Sequence, residues 1–521
     1  MMRVTGKFSI ASVLRLALLL VWGSFWAAAG AAQERGELKG RVADAASNVL
    51  PGATVHIEPG GIAVVTDREG VFTVSKLTPG TYRIEASYLG FDPEAKEVQV
   101  AANDVARVEF KLNPAKVSED VTVTASRSRG EAEALNQRKN SINIENVLPE
   151  EIITSLPNAN LADAIGRLPS VSLERDEGEG KFVQVRGLES QFTNVTINGV
   201  HIPSVSGSNE GFGRQIKLDA FPSDLVGQVE LRKTLSADQD GDAIGGSVNI
   251  VNRFPGDQQA FSVGAEGGYS PLQNGVWNYN VNGNYSNRFG DAKELGLSLS
   301  GTYDWNGRGI DDVEPSVGVV SLPDGSSLST HTGADYRNYS YDRSRYGVAG
   351  NLDYRLGLDS VLYLKGFFSQ FKNYGDRWVT SATVGNFITP TLTDNTGSFS
   401  GSVQNRRPNE QTYSVAGGGS NKLGNAILDY TLSYSHAQQL RQNQLQADFN
   451  GPAAAFNVDD SQEFFPKFNP LGGVNQLDAT QYSLADYRIT NETSAAHDAT
   501  IAANLTIPYL LGDAEIGRAH V

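Results

Sequence analysis

The stretch Glu119-Asp120-Val121-Thr122-Val123-Thr124-Ala125 offers chemistry of the main chain rather than of side chains. Four consecutive β-branched residues favour an extended backbone. Such a ribbon can add its amides and carbonyls to the sheet edge of another protein, or it can be a plain linker. Reactive constellations of the usual kinds are missing. The chain has no cysteine, which removes disulfides, thiolate metal sites and cysteine nucleophiles together. Its six histidines, at 56, 201, 331, 436, 497 and 520, share no metal-ligand spacing. Asp238, Asp240 and Asp242 alternate as calcium ligands do, but Ala243 stands where that loop needs glycine and Asn249 where it needs the bidentate glutamate. The sequence contains no phosphate loop, serine elbow or dinucleotide fingerprint. It therefore reads as no enzyme, with no catalytic residue, metal site or cofactor. For solute binding, the polar loop 201–215 offers His201, Ser204, Ser206, Ser208, Asn209, Glu210 and Arg214, the alternative being a solvated loop without ligand contacts.

The elements that must position these residues are mainly β. Glycine numbers 55 of 521 residues, with 19 tyrosines and 22 phenylalanines, a composition that suits sheets. Residues 1–32 stand apart. Arg3 and Lys7 precede an apolar run from Ile10 to Trp26 and the small residues "AAAGAA", the pattern of a signal peptide, with a membrane anchor as the alternative. Removing them takes away three basic residues and no acid, so the formal charge falls from −16 to −19. That acidity argues against a nucleic-acid partner.

Residues 33–113 alternate β-rich runs (50–57, 66–74, 77–91 and 105–112) with turns at Pro51-Gly52, Pro59-Gly60-Gly61 and Pro79-Gly80, which predicts a small β-sandwich. A linker at 114–130 holds the ribbon. The composition of 131–254 is mixed α/β. Asn160 is the expected N-cap of a helix with the stripe Leu161, Ile165 and Leu168, stopped by Pro169. Strands are expected at 181–188, 194–200, 224–234 and 243–252, the second turning at Asn198-Gly199.

Beyond Phe254 the sequence becomes two-faced. Leu295, Leu297, Leu299, Gly301, Tyr303 and Trp305 alternate with Gly296, Ser298, Ser300, Thr302 and Asp304. The pattern recurs over 277–286, over 346–356 and through Leu428, Tyr430, Leu432 and Tyr434. Runs of about ten residues match a tilted membrane-crossing strand. Short turns at 290–294, 357–360, 421–425 and 511–513 alternate with longer polar connections at roughly 306–340, 375–409 and 438–494. That asymmetry predicts a transmembrane antiparallel β-barrel over 255–521 rather than a soluble sandwich. Only about nine strands fit before residue 521, an odd number with an open edge, so the barrel reads as incomplete.

The order "PGATV", "TDREGVF", "PGTYRIEASYLGF" resembles the carboxypeptidase regulatory-like domain, an accessory sandwich without catalytic residues. "LADAIGRLPSV", "FVQVRGLESQFTNVTINGV", "FPSDLVGQVELRKT" and "GDAIGGSVNI" fall in the order of the plug of a TonB-dependent outer-membrane receptor, which they resemble. The resemblance implies that Glu119 to Ala125 is the TonB box. It also implies that TonB, with its inner-membrane energising complex, pulls this ribbon and opens a plugged barrel of about 22 strands. The expected setting is the outer membrane of a diderm bacterium, in contact with its lipid, with sandwich and TonB box facing the periplasm. The expected cargo is a glycan, a ferric siderophore or a similar small molecule or oligosaccharide. The alternative is a passive or structural barrel with an accessory binding domain.

Overall fold

The computed structural model describes residues 35–520 except 68, 116–124, 142, 156–159, 206–213, 237–238, 240, 242, 272–275, 358–359, 425 and 512–513. The expected signal peptide therefore lies outside the described residues. So do Glu119 to Thr124 of the ribbon, Ser206, Ser208, Asn209 and Glu210 of the polar loop, and Asp238, Asp240 and Asp242.

The first unit contains β1 (Gly36–Asp44), β2 (Thr54–Glu58), β3 (Ile62–Val65), β4 (Val71–Leu77), β5 (Gly80–Ser87), β6 (Glu94–Val100) and β7 (Val105–Leu112). A three-stranded sheet in the order β4-β1-β7 faces a four-stranded one in the order β3-β2-β5-β6. Alternate residues of both sheets, among them Leu38, Val55, Phe72, Ile84 and Phe110, close one core. The sequence reading lacks β1, β3 and β6, and β3 is only four residues long. β1 and β6 alternate strongly charged residues with apolar ones, so each shows only half a face of apolar side chains.

A helix, α1 (Ala125–Asn140), takes up Ala125, expected as the last residue of the extended ribbon, and crosses the expected boundary between the linker at 114–130 and the mixed α/β domain. It has no broad apolar stripe to announce it. Its helix formers Ala, Glu, Gln and Arg suit the conformation, and it docks through small residues, with Ala132 buried in the sandwich core. Next come β8 (Glu145–Pro149), α2 (Glu150–Ser155), α3 (Leu161–Ile165), β9 (Val171–Asp176), β10 (Glu179–Val185), β11 (Thr193–Ile197), β12 (Val200–His201), β13 (Val226–Arg232) and β14 (Gly246–Asn252). Five of these form a sheet in the order β12-β11-β14-β13-β8, and β9 with β10 makes a separate ribbon.

The side chain of Asn160 caps α3 by accepting from the Asp163 amide, as expected. The helix is shorter than expected. It ends at Gly166, before Leu168 and Pro169. Leu173 packs close to Gly166, where a Cβ would meet its side chain at 2.6 Å. The Asn198-Gly199 turn joins Ile197 to Val200 with φ of 54° and 81°, the two left-handed residues of a type I′ hairpin.

The largest sheet contains β15 (Ala260–Ser270), β16 (Val276–Phe289), β17 (Leu295–Ser321), β18 (Ser327–Arg355), β19 (Ser360–Thr383), β20 (Gly397–Arg406), β21 (Pro408–Leu423), β22 (Ala426–Ala454), β25 (Ser483–Leu511) and β26 (Ala514–His520); β23 (Phe456–Asp459) and β24 (Lys467–Pro470) form a small hairpin beside it. Every pairing in the sheet is antiparallel. β20 and β21 pair with the two halves of β19, so together they make one pass, interrupted at Arg407.

The polarity of this sheet is inverted relative to a soluble one. Outward Leu432 is 63 % exposed while its neighbour Ser433 is 4 % exposed. Outward Leu299, Val348, Leu364 and Val415 are likewise exposed, and inward Ser298, Ser300, Asn351, Ser369 and Ser414 are buried. About ten residues from the short turns lies an aromatic belt. Tyr279 stacks on Trp305 with centroids 5.6 Å apart, Tyr346 meets Phe368 at 5.9 Å and Tyr413 meets Tyr434 at 6.0 Å. An apolar band edged by aromatics is the surface a bilayer requires.

The long connections differ from the sequence reading. Residues 306–321 and 327–340 continue β17 and β18 as one hairpin, and β19, β20, β22 and β25 also run well past the apolar band. Their polar composition reflects departure from the apolar layer, not loss of the hydrogen-bond ladder. Phe387, Phe399, Phe456 and Phe468 give these hairpins a core of their own.

Candidate functional site

The segments that flank the ribbon are both tied to the sandwich. On one side the Ala115 amide donates to Gly90 O at 2.9 Å, within the sandwich. On the other, α1 begins at Ala125 and is tied to the sandwich by Asn140 Nδ2 donating to Gly52 O at 2.9 Å. The same helix reaches the five-stranded sheet, where Gln137 Nε2 donates to Glu230 Oε1 at 3.2 Å. The sandwich itself is seated on the short-turn end of the large sheet. Arg41 pairs with Asp257, which also holds Arg355 at 3.0 Å and Arg288 at 3.2 Å, and Lys422 pairs with Glu37 at 2.7 Å.

The described part of the polar loop lies at a seam between the plug-like domain and the large sheet. His201 Nδ1 is 2.7 Å from Asp498 Oδ2, and the Ser435 hydroxyl donates to His201 O at 2.7 Å. Ser204 donates to Gln215 O at 2.7 Å, which closes the base of the loop. Beside it a small crevice is lined by Ile202, Ser204, Ile216, Phe221, Glu410 and Thr412, among others. Lys217 and Glu410 form a nearly buried ion pair at 2.9 Å on its wall. Next to it, burial and then the charge of Glu410 push the Asp219 carboxyl up to about 7. Arg214, the third described residue of the set, is exposed. Of the described loop residues expected from sequence, His201 and Ser204 are the two placed at the seam.

A second cluster was not among the residues singled out from sequence. The turn between β9 and β10 places Glu177 and Gly178 at φ of 53° and 86°, and its carboxylates enter a group of arginines on the inner face of the large sheet. Glu179 pairs with Arg308 of β17 at 2.5 Å and with Arg345 and Arg343 of β18 at 2.6 and 3.1 Å. Glu177 pairs with Arg343 and, at 2.9 Å, with Arg406 of β20. Burial would raise the Glu179 pKa, but Arg345, Arg343 and Arg308 override it and hold the carboxyl at about 2. Arg345 also holds Asp304 at 3.1 Å and donates from Nε to Asp219 O at 2.6 Å. Apolar contact completes the seam, where Phe221 meets Phe367 at 5.7 Å.

Among the described residues no group of three or more potential metal ligands occurs. No described helix is long and apolar enough to cross a membrane, which leaves crossing by strands open.

Residues 37–113 match the carboxypeptidase regulatory-like domain and residues 137–247 match the TonB-dependent receptor plug domain. The vitamin B12 transporter BtuB of Photobacterium profundum is 31 % identical over 132 residues, covering 25 % of this chain and 21 % of that protein. The ferric preacinetobactin receptor BauA of Acinetobacter baumannii aligns at 13 % identity and a TM-score of 0.36, over 71 % of this chain and 56 % of that one. The ferric-catecholate import receptor Fiu of E. coli K12 aligns at 12 % identity and a TM-score of 0.39, over 71 % and 64 %. The chain thus spans less than two thirds of each of these proteins. The chain thus carries a carboxypeptidase regulatory-like domain followed by a TonB-dependent receptor plug domain, both ahead of a large antiparallel sheet.

Proposed function

We propose that this chain is the receptor and transporter part of an outer-membrane import system energised by TonB. The observation that carries the reading is a plug domain held against the polar inner face of an inside-out sheet largely by ion pairs and hydrogen bonds. Such contacts can be exchanged for water or solute more readily than an interdigitated apolar core. The barrel occupies 255–521 and the plug 131–254. The sandwich at 33–113 and the ribbon within 114–130 face the periplasm, and residues 1–32 direct export. Glu119 to Ala125 is the strand that TonB takes up by sheet addition, which needs main-chain partners more than particular side chains. Force on the ribbon reaches the plug through α1.

The test is deletion of Glu119 to Ala125 in the full-length receptor. Uptake of its cargo should fall to the background of a strain lacking TonB, while binding of that cargo at the cell surface is retained. Unchanged uptake overturns the reading.

A further inference from the structure

The four arginines around the β9–β10 turn are distributed unevenly between the fixed and the movable part of the molecule. Arg308, Arg343, Arg345 and Arg406 all sit on strands of the barrel, with Asp304 as the wall's own carboxylate among their pairings. The other carboxylates they hold, Glu177 and Glu179, belong to the plug. Any rearrangement that withdraws this turn leaves a strongly cationic wall.

The guanidinium groups are also held from behind. Arg345 lies over the Phe371 ring at 4.7 Å, Arg406 and Arg343 lie over Tyr341 at 5.6 and 5.8 Å, and Arg343 Nε donates to Asn373 Oδ1 at 3.0 Å. These supports are all on the barrel, so they persist when the plug moves. A planar, preorganised guanidinium fork suits carboxylate and phosphate oxygens. Buried arginines stripped of their partners are costly, and an anion arriving as the turn leaves removes that cost.

We propose that this cluster is a binding surface for a multiply anionic solute, occupied in the closed state by Glu177 and Glu179 as built-in stand-ins for its anionic groups. The surface fits a ligand with two or more anionic groups about as far apart as two carboxylates flanking one glycine. The inference deepens the import reading by giving the cargo its charge class, and it rests on that reading for the direction of passage.

The test is calorimetric titration of the purified full-length receptor with citrate, with pyrophosphate and with neutral maltotriose. The Glu177→Gln, Glu179→Gln double variant should bind citrate at least tenfold more tightly than the wild type does, with affinity that falls as salt is raised. Maltotriose should show no gain. Pyrophosphate gaining more than citrate would assign the surface to phosphates, and citrate gaining more would assign it to carboxylates. Adding Arg343→Gln and Arg406→Gln should abolish the gain.

Citrate and pyrophosphate affinities within twofold of wild type, in a double variant with native thermal unfolding, overturn the proposal and leave the cluster a structural latch. If the double variant fails to fold, Glu177→Gln alone retains the Glu179 pairs and should still gain several-fold, and no gain there has the same force. Titration needs neither TonB nor the ribbon, so failure here and failure of the import reading are told apart.

Discussion

Asn160 and Glu179 show what one residue can and cannot disclose in advance. Asn160 is legible because its task is local. It caps the helix that starts at the next residue, and its carboxamide nitrogen then reaches Gly180 O at 3.0 Å. Glu179 belongs to an unremarkable "DEGEG" stretch, and its partner Arg345 is 166 residues away. Arg406 is 229 residues from Glu177. A carboxylate's partners at that separation are set by the closing of the whole sheet, which no local pattern encodes.

Asp219 allows a test at the same scale. Its pKa is raised from 3.8 to about 7, by burial first and Glu410 second, and its Oδ1 has no hydrogen-bond partner among the described groups. A carboxyl whose pKa rises on folding opposes folding once ionised. The penalty is absent below about pH 4, grows as the pH rises towards 7 and is full above that. Asp219→Asn should therefore raise the unfolding midpoint at pH 8 and leave it unchanged at pH 3.5. Equal shifts at both values would contradict the assignment. Glu179 has the opposite sign, contributing stability above pH 4.5 that is lost as the pH falls through about 2.

At the scale of elements, period and turn chemistry made the sandwich, the Asn198-Gly199 hairpin and the halves of the long strands that carry the apolar band readable. α1 was hidden because it packs through Ala132 and through polar side chains rather than through a leucine stripe. The upper hairpins were hidden because both of their faces are polar over much of their length, so alternation fades while pairing continues. The inverted sheet gives a sharp prediction. Leu432 is solvent-exposed in the isolated chain, and a soluble sheet would tolerate Leu432→Lys within about 0.5 kcal/mol. In the middle of the apolar band, the same change should cost about 2–4 kcal/mol when folding into lipid vesicles is titrated with denaturant. A cost near zero would place that face in water.

At the scale of the molecule, the proposed pull on the ribbon has one continuous path. The segments on either side of the ribbon are attached to the sandwich, the sandwich rests on the rim of the sheet through Arg41, Asp257, Glu37 and Lys422, and α1 reaches the plug sheet at Glu230. In the plug sheet β8 is an edge strand and, among the described strands, pairs with β13 alone, so tension arriving through α1 would meet a two-strand interface first. The barrel strands are each paired over many residues, with β17 and β18 in register over nearly their whole length. The plug should yield while the barrel holds.

That difference can be measured by pulling the ribbon of the full-length receptor, reconstituted in a planar bilayer, while recording ion current. The pore should be closed at zero force and should open in conductance steps as the plug comes away, before any barrel strand is extracted. Current that stays at baseline until the barrel itself unravels, or that flows equally without force, would contradict a force-released plug.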